Sequence, residues 1–478
     1  MANPLASDLD AMRRLLESQA HPGRYAQRFH VVPPVGWLND PNGLCQLGDT
    51  FHAFFQYSPF NAEGGVKMWG HVTSPDLVTW SYEGAALYPD QPFDVSGVYS
   101  GCAFVKDGTM HVFYTGNVKR EDDENYDYVN SGREANTIHV ETKDGFNFGP
   151  KKVVMDNSDY PADVTEHVRD PKVWEFEGRY YMVQGARKQD DSGEVLIFVS
   201  DDLAHWELVN RVTSCTSFGY MWECPDYFEL PDPDPLHDHK LLRVLSVSPQ
   251  GLHGGDWDRR NVYQSGYFVV RGDITGTCWL KPFALWDAGF DFYAPQTFET
   301  AGGKRRILIG WMGMPDEPAY TNPTIEDGWQ HCFTIPREVT ALHGRVRQWP
   351  VHELEWHRTD ERSATGELTA SDTQTFDLLV EGIGDETFEA TIGGGLRLSW
   401  DGDVFRMVFT DDKVGAGRVQ RYEHLDDLTN VRVVGDTSSV EVFVNDGELT
   451  FSTRYYPDAY SLSVSSPGAL IQLWGLDV

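Results

Sequence analysis

Acid–base chemistry at a covalent bond needs carboxyl groups held in unlike surroundings, and this sequence sets three carboxyls in matching ones. Asp40 stands in "GWLNDPNGLC" (36 to 45), Asp170 in "RDPKV" (169 to 173) and Glu223 in "ECPD" (223 to 226). Carboxyls that converge on one pocket push their pKa values apart, so one ionises while another keeps its proton. Taken alone, Asn-Asp-Pro-Asn-Gly is a run of turn formers and reads as a turn between two strands. The rest of the chain gives it a second meaning.

Five segments share one pattern: a polar pair, Pro or Gly, a strand-like run, a turn and a second apolar strand. They are "NDPNGLCQLGDTFHAFFQY" (39 to 57), "YSGCAFVKDGTMHVFYTG" (99 to 116), "RDPKVWEFEGRYYMVQGA" (169 to 186), "ECPDYFELPD" with "KLLRVLSVSP" (223 to 249), and "YAPQTFETAGGKRRILIGWMG" (293 to 313). Each reads as a hairpin. Between them "SPDLVTWS" (74 to 81), "TKDGFNFG" (142 to 149) and "SDDLAHWEL" (200 to 208) read as one further strand element in successive units. Units of four short strands repeated around a ring predict an all-β chain built on a five-bladed β-propeller.

Aligned on the residue before Pro or Gly, the units place Asp40, Ser100, Asp170, Cys224 and Ala294 at one position. The position before it holds Asn39, Tyr99, Arg169, Glu223 and Tyr293. The innermost strands of a propeller start around one channel, so three carboxylates, an Arg and two Tyr are expected to face a single pocket. Arg169 beside Asp170 predicts that this carboxyl stays ionised, and Glu223 between Trp222 and Cys224 predicts a pKa raised by partial desolvation.

The composition narrows the ligand. Asp+Glu 73 against Lys+Arg 39 gives a formal charge of -34 in 478 residues, which argues against nucleic acid and anionic membrane surfaces as partners. A neutral small molecule fits better, and Trp 15 among 13% aromatics, many beside polar loops, suits sugar rings. Cys45, Cys102, Cys215, Cys224, Cys278 and Cys332 are scattered, with no zinc spacing, and His30, His71, His253 and His331 form no metal-ligand set. No metal and no cofactor is expected. Residues 1–24 read as a short amphipathic helical segment with Leu5, Leu9, Met12 and Leu16 on one side, not as a signal peptide, and no segment reads as a membrane span. The expected setting is the cytoplasm.

"WLNDPNG" (37 to 43), "FFQYSP" (54 to 59), "WGH" (69 to 71), "YSGCAF" (99 to 104), "RDPKV", "ECPD", "YAPQ" (293 to 296) and "GWM" (310 to 312) resemble, in order, the motifs of glycoside hydrolase family 32. "GDTSSVEVFVNDGELTFSTRYYP" (435 to 457) resembles that family's C-terminal β-sandwich. The resemblance implies β-fructofuranosidase chemistry by two carboxyl groups flanking the bond. It implies Asp40 as nucleophile, Glu223 as general acid/base and Asp170 as transition-state stabiliser; the residues alone do not separate the two aspartates. It also implies fructose binding by Asn39, Gln56, Trp69, Ser100, Arg169 and Trp311, with Tyr99 and Tyr293 in the same pocket. Where the family commonly has Phe before the serine, Tyr99 adds a hydroxyl at the rim.

The expected domains are a propeller over 25–345, a polar linker over 346–365 and a β-sandwich over 366–478, the last a packing partner or a surface for homo-oligomers. The expected function is a retaining hydrolase releasing β-D-fructofuranosyl units from sucrose and short fructo-oligosaccharides. A fructosyltransferase and a hydrolase preferring sucrose 6-phosphate stand as alternatives. A phosphate would find basic residues in "DWDRRN" (256 to 261) or "GGKRR" (302 to 306).

Overall fold

The computed structural model describes residues 4–216, 218–234, 241–252, 261–384 and 386–478. The five hairpins of the repeat are the first two strands of five separate sheets, the blades of a five-bladed β-propeller. In the first blade Gly36–Leu47, Thr50–Ser58, Met68–Ser74 and Ser81–Leu87 succeed one another outward. The inner strands of the later blades are Gly97–Lys106, Val164–Phe176, Met221–Pro231 and Tyr293–Glu299. The ring closes where Trp329–Gln330, from the end of the propeller, pairs in parallel with Gly36 and Trp37. Middle strands such as Met68–Ser74 are buried throughout, because both blade faces pack on neighbours; the outermost Glu207–Thr213 is largely open.

Two sequence expectations give way here. The segments at 74 to 81, 142 to 149 and 200 to 208 are mostly turns between third and fourth strands. Asp76 accepts from the backbone N–H groups of Val78 and Thr79, Asp144 from Phe146 and Asn147, and Asp202 from Ala204 and His205. A carboxylate that satisfies consecutive backbone donors outcompetes the strand ladder. Conversely, Asn-Asp-Pro-Asn-Gly is no turn: it lies inside the single strand Gly36–Leu47, which is bulged twice.

All five inner strands are bulged at the matching place. Their register with the second strand slips between Leu38 and Pro41, Val98 and Gly101, Arg169 and Lys172, Glu223 and Asp226, and Tyr293 and Gln296. A bulge sets extra residues on one strand, so side chains stop alternating strictly between faces. Proline fits there because its missing N–H removes no ladder bond.

The fifth blade ends with Arg345–Pro350, a short 3-10 turn covers His352–His357, and the first strand of the C-terminal β-sandwich is Arg358–Ser371. The connection is therefore shorter than the expected 346–365: the polar run after 357 is an exposed strand, paired with Ser461–Leu476, and not a loop. Apolar side chains from Leu368 to Leu473 fill the sandwich core, joined by Ala288 and Phe290 of the propeller. The N-terminal helix Pro4–Glu17 also docks unexpectedly. Leu5 and Met12 stay exposed while Arg13 is buried, bonded to Asp10 and Glu17, and those two carboxylates accept from Tyr57, Tyr82 and Tyr88 of the first blade.

Candidate active site

The bulged positions meet in two layers at the start of the inner strands. In one layer Glu223 Oε1 accepts from Arg169 Nη2 at 2.7 Å and Nε at 3.1 Å, and Oε2 accepts from the Tyr293 hydroxyl at 3.0 Å. In the other, Asp40 Oδ2 accepts from Ser100 Oγ at 2.5 Å and lies 3.4 Å from the Cys224 thiol, whose own backbone N–H reaches Asp170 Oδ2 at 2.8 Å. Residues aligned at one repeat position thus touch their counterparts in other blades.

Local backbone chemistry holds these groups. Trp37 Nε1 donates to Asn39 Oδ1 at 2.7 Å, and Asn39 Nδ2 donates to Asp40 Oδ1 at 3.1 Å. Asn42 Nδ2 caps the Asp40 carbonyl at 3.0 Å while its Oδ1 accepts the Gly101 N–H at 3.0 Å, tying the first blade to the second. Gly101 must be glycine, since a Cβ there would lie 2.0 Å from the Phe113 carbonyl oxygen. Asp170, Cys224 and Ala294 have φ of 63°, 47° and 48°. Left-handed backbone at three non-glycine residues of one site is strain held by the surrounding packing.

The electrostatics revise one expectation. Arg169 spends its guanidinium on Glu223, across the blade boundary, and does not keep Asp170 at an ordinary acidity. Burial raises the Asp170 pKa, and the negative charges of Glu223 and Asp40 add to that against the pull of Arg169. Glu223 is raised too, by burial first, with Arg169 opposing and Asp40 adding. Trp222 contributes little directly, because its ring packs away against Phe268. Asp40 and Glu223 are half-buried and open to the pocket, whereas Asp170 is buried. The arrangement offers an open carboxyl held by a hydroxyl, a thiol and an amide, facing a carboxyl biased toward its protonated form.

The other expected residues divide by depth. Tyr99 is half-buried at the rim. Gln56 donates to the Val98 carbonyl at 2.9 Å and Trp69 Nε1 to that of Tyr99 at 3.1 Å, both fully enclosed, so they position the Tyr99–Ser100 bulge. Trp311 is buried edge-on to Trp37 and Tyr293. Sequence reasoning missed a second set carried by the same motifs: Lys172 of "RDPK", Asp226 of "ECPD" and Gln296 of "YAPQ". Lys172 Nζ lies 3.2 Å from Asp226 and 3.2 Å from Gln296 Oε1, and Gln296 Nε2 donates to the Cys224 carbonyl at 3.0 Å, pinning three blades beneath the site. Lys67 was missed as well. Its ammonium sits 4.7 Å over the Trp37 ring near Asp40, and burial pushes its pKa down to about 7.

Of the phosphate candidates, Arg305 pairs with Glu338 and Glu353, and Arg306 with Glu299. Gly302, Gly303 and Arg306 line a cavity of about 1320 Å³ at the opposite end of the channel, remote from the carboxyls. In "DWDRRN", 256–260 lie outside the described residues. Among the described residues, His111, His139 and Glu141 form the grouping whose atoms lie close enough to share a metal ion, near the Asp107–Gly108 turn and away from the three candidate carboxyls. Their imidazoles already contact each other at 3.1 Å, as His52 and His71 do at 3.0 Å in the first blade.

The model of the glycosyl hydrolases family 32 N-terminal domain matches residues 30–350, and that of the family's C-terminal domain matches 402–469. The chain belongs to glycosyl hydrolase family 32. This family 32 hydrolase is 39% identical over 478 residues to a sucrose-6-phosphate hydrolase of Bacillus subtilis, covering 95% of this chain and 94% of that one. It is 36% identical to a raffinose invertase of Escherichia coli, covering 91% and 90%. A family 32 beta-fructofuranosidase of Bombyx mori superposes with a TM-score of 0.84 at 30% identity, covering 99% of each chain. A mutant of that Bombyx enzyme, solved in complex with sucrose, superposes with a TM-score of 0.83 at 30% identity, again over 99% of each chain.

Proposed function

We propose that this family 32 enzyme hydrolyses β-D-fructofuranosides such as sucrose and short fructo-oligosaccharides with retention, through a covalent fructosyl intermediate. The observation that carries the reading is the pairing of Asp40 and Glu223 in unlike surroundings on one pocket, and the sucrose complex of the Bombyx relative supports the substrate. Asp40, fixed by Ser100 and Asn39, attacks the anomeric carbon of the fructosyl unit. Glu223, with its pKa raised by burial, protonates the departing oxygen and then takes a proton from the incoming water. Asp170 faces the charge that develops on the ring. Arg169 and Tyr293 orient Glu223, and the half-buried Tyr99 offers its ring to the sugar. The six cysteines, all free thiols in this fold, support a reducing compartment, the cytoplasm.

The two central roles separate by leaving group. Proton donation contributes about 10² to 10⁴ fold and is needed only when the leaving group is poor. Glu223→Ala is expected to be severely slow on sucrose yet to keep most of its fructosylation rate on β-fructosyl fluoride, with one fructosyl mass accumulating on Asp40. Asp40→Ala should be inactive on both and trap nothing. Equal losses on sucrose and the fluoride in Glu223→Ala would remove Glu223 from the acid role.

A further inference from the structure

Two imidazoles and a carboxylate converge on the second blade without satisfying one another. His111 on Thr109–Lys119 and Glu141 on Arg133–Thr142 are directly opposite, and His139, two residues before Glu141, shares their face of the sheet. His111 Nδ1 lies 3.1 Å from His139 Nε2, while Glu141 Oε1 lies 3.6 Å from the first nitrogen and 3.8 Å from the second. The last two separations are too long for hydrogen bonds. Among the described residues no Lys or Arg pairs with that carboxylate either.

The first blade carries the same imidazole pair and packs it as core. His52 and His71 occupy the matching register, 3.0 Å apart. His71 stacks on Phe54 at 4.2 Å as His139 does on Phe113 at 4.4 Å. The first pair is sealed: Phe146 packs on both rings, and the Gly145 backbone comes so close that a Cβ there would lie 2.4 Å from His52 Cε1. Thr73, opposite His52, turns its hydroxyl away to Glu83 at 2.7 Å. The second blade changes both features. Glu141 stands where Thr73 does, and the matching turn of the third blade has Ala204 where Phe146 stands, each taking its backbone N–H to the aspartate of its turn. His139 and Glu141 line a cavity of about 410 Å³ shared with Thr142 and Asp144.

Tetrahedral coordination with bonds of about 2.0 to 2.2 Å sets neighbouring ligand atoms roughly 3.3 to 3.6 Å apart. The triangle of 3.1, 3.6 and 3.8 Å follows three such edges. Two imidazole nitrogens with one carboxylate oxygen suit a borderline cation, whereas Mg²⁺ and Ca²⁺ seek oxygen. We infer that His111, His139 and Glu141 bind Zn²⁺ or a similar borderline divalent cation, with the cavity leaving a fourth position to water. On binding, the proton between the imidazoles moves to an outward ring nitrogen, so that both facing nitrogens present lone pairs. The ligands meet only when the two strands are paired, so the ion staples the second blade and favours the folded chain. The site departs from the sequence expectation of no metal, because strand pairing and not motif spacing assembles it.

Calorimetric titration of the chelator-treated full chain with Zn²⁺, in excess Mg²⁺, tests the site. Wild type should bind Zn²⁺ at least about tenfold more tightly than Glu141→Gln or His111→Gln, the loss that follows even when an outer partner of a metal ligand is removed. Cys215→Ser, which removes an exposed free thiol, should bind like wild type. Zn²⁺ should also raise the unfolding temperature of wild type and leave that of Glu141→Gln in place. A wild type that binds no Zn²⁺, binding that Mg²⁺ displaces, affinity unchanged in Glu141→Gln, or binding lost in Cys215→Ser would each overturn the site. An equal thermal shift in wild type and Glu141→Gln would overturn the staple. If His111→Gln does not fold, the exposed Glu141→Gln decides the matter alone.

Discussion

Two neighbours of Glu223 favour its charged form, against the burial that favours its protonated one. Burial raises its pKa, while the Arg169 guanidinium and the Tyr293 hydroxyl pull the other way through bonds of 2.7 and 3.0 Å. Tyr293→Phe removes one donor to the carboxylate, so the acid becomes weaker and the alkaline limb of kcat/KM should move to higher pH, by roughly one unit or less. A pH–rate profile of the variant on sucrose reads this directly, and a limb that stays put or moves down would detach Tyr293 from Glu223. The neighbour in sequence proved a poor guide to the neighbour in space. Arg169 adjoins Asp170 along the chain, yet its side chain crosses to the next blade, and burial together with two other carboxyls outweighs its pull on Asp170.

The element that makes such crossings possible is the bulged inner strand. Regular alternation would send consecutive residues to opposite faces; the slip in each blade lets Asn39 with Asp40, and Arg169 with Asp170, serve one site. The repeated proline signals where the slip occurs, but its left-handed residue is visible only in the backbone. Ala294, with φ of 48° and no exposed surface, tests how tightly the bulge is held. Ala294→Gly relieves a left-handed Cβ worth about 1 kcal/mol, so its stability should stay within about 1 kcal/mol of wild type. Ala294→Val adds branching and bulk at a filled site and should cost about 2 kcal/mol or more, with activity lost through the displaced Tyr293. Urea unfolding of both variants measures the difference, and similar midpoints would show that this bulge is not confined.

Across the whole molecule, propeller and sandwich are locked by a buried ionic cluster. His30 Nδ1 lies 2.8 Å from Asp436 Oδ2 and its Nε2 2.9 Å from Glu441 Oε1, while Arg337 Nη2 donates to Glu441 Oε2 at 2.6 Å. Burial by itself would lower the His30 pKa; the two carboxylates outweigh it and raise the pKa to about 9. Asp436 and Glu441 end below their ordinary values, with burial opposing and His30 and Arg337 among the groups that lower them. A raised imidazole contributes stability that is fully present below its unfolded pKa of about 6.5 and is lost as pH rises through about 9, on the order of 3 kcal/mol. The depressed carboxylates contribute above their unfolded values and fail in acid. Thermal unfolding should therefore show His30→Gln well below wild type at pH 7, with the gap narrowing by pH 10; parallel curves would refute the linkage.

The sequence by itself determined the five hairpins, their ring and the chemical groups at its centre. Strand alternation and proline are local signals, and the repeat brings "NDP", "RDP" and "ECP" into correspondence without any coordinates. It also determined the sandwich, whose alternating runs pack one continuous core. Only the tertiary structure decided which charge meets which. That Arg169 serves Glu223, that Asp170 is raised and that "GGKRR" lies at the far mouth all depend on distances between blades and on how deeply each group is buried. Those quantities sum over neighbours far apart in the chain, and no short stretch of sequence contains them.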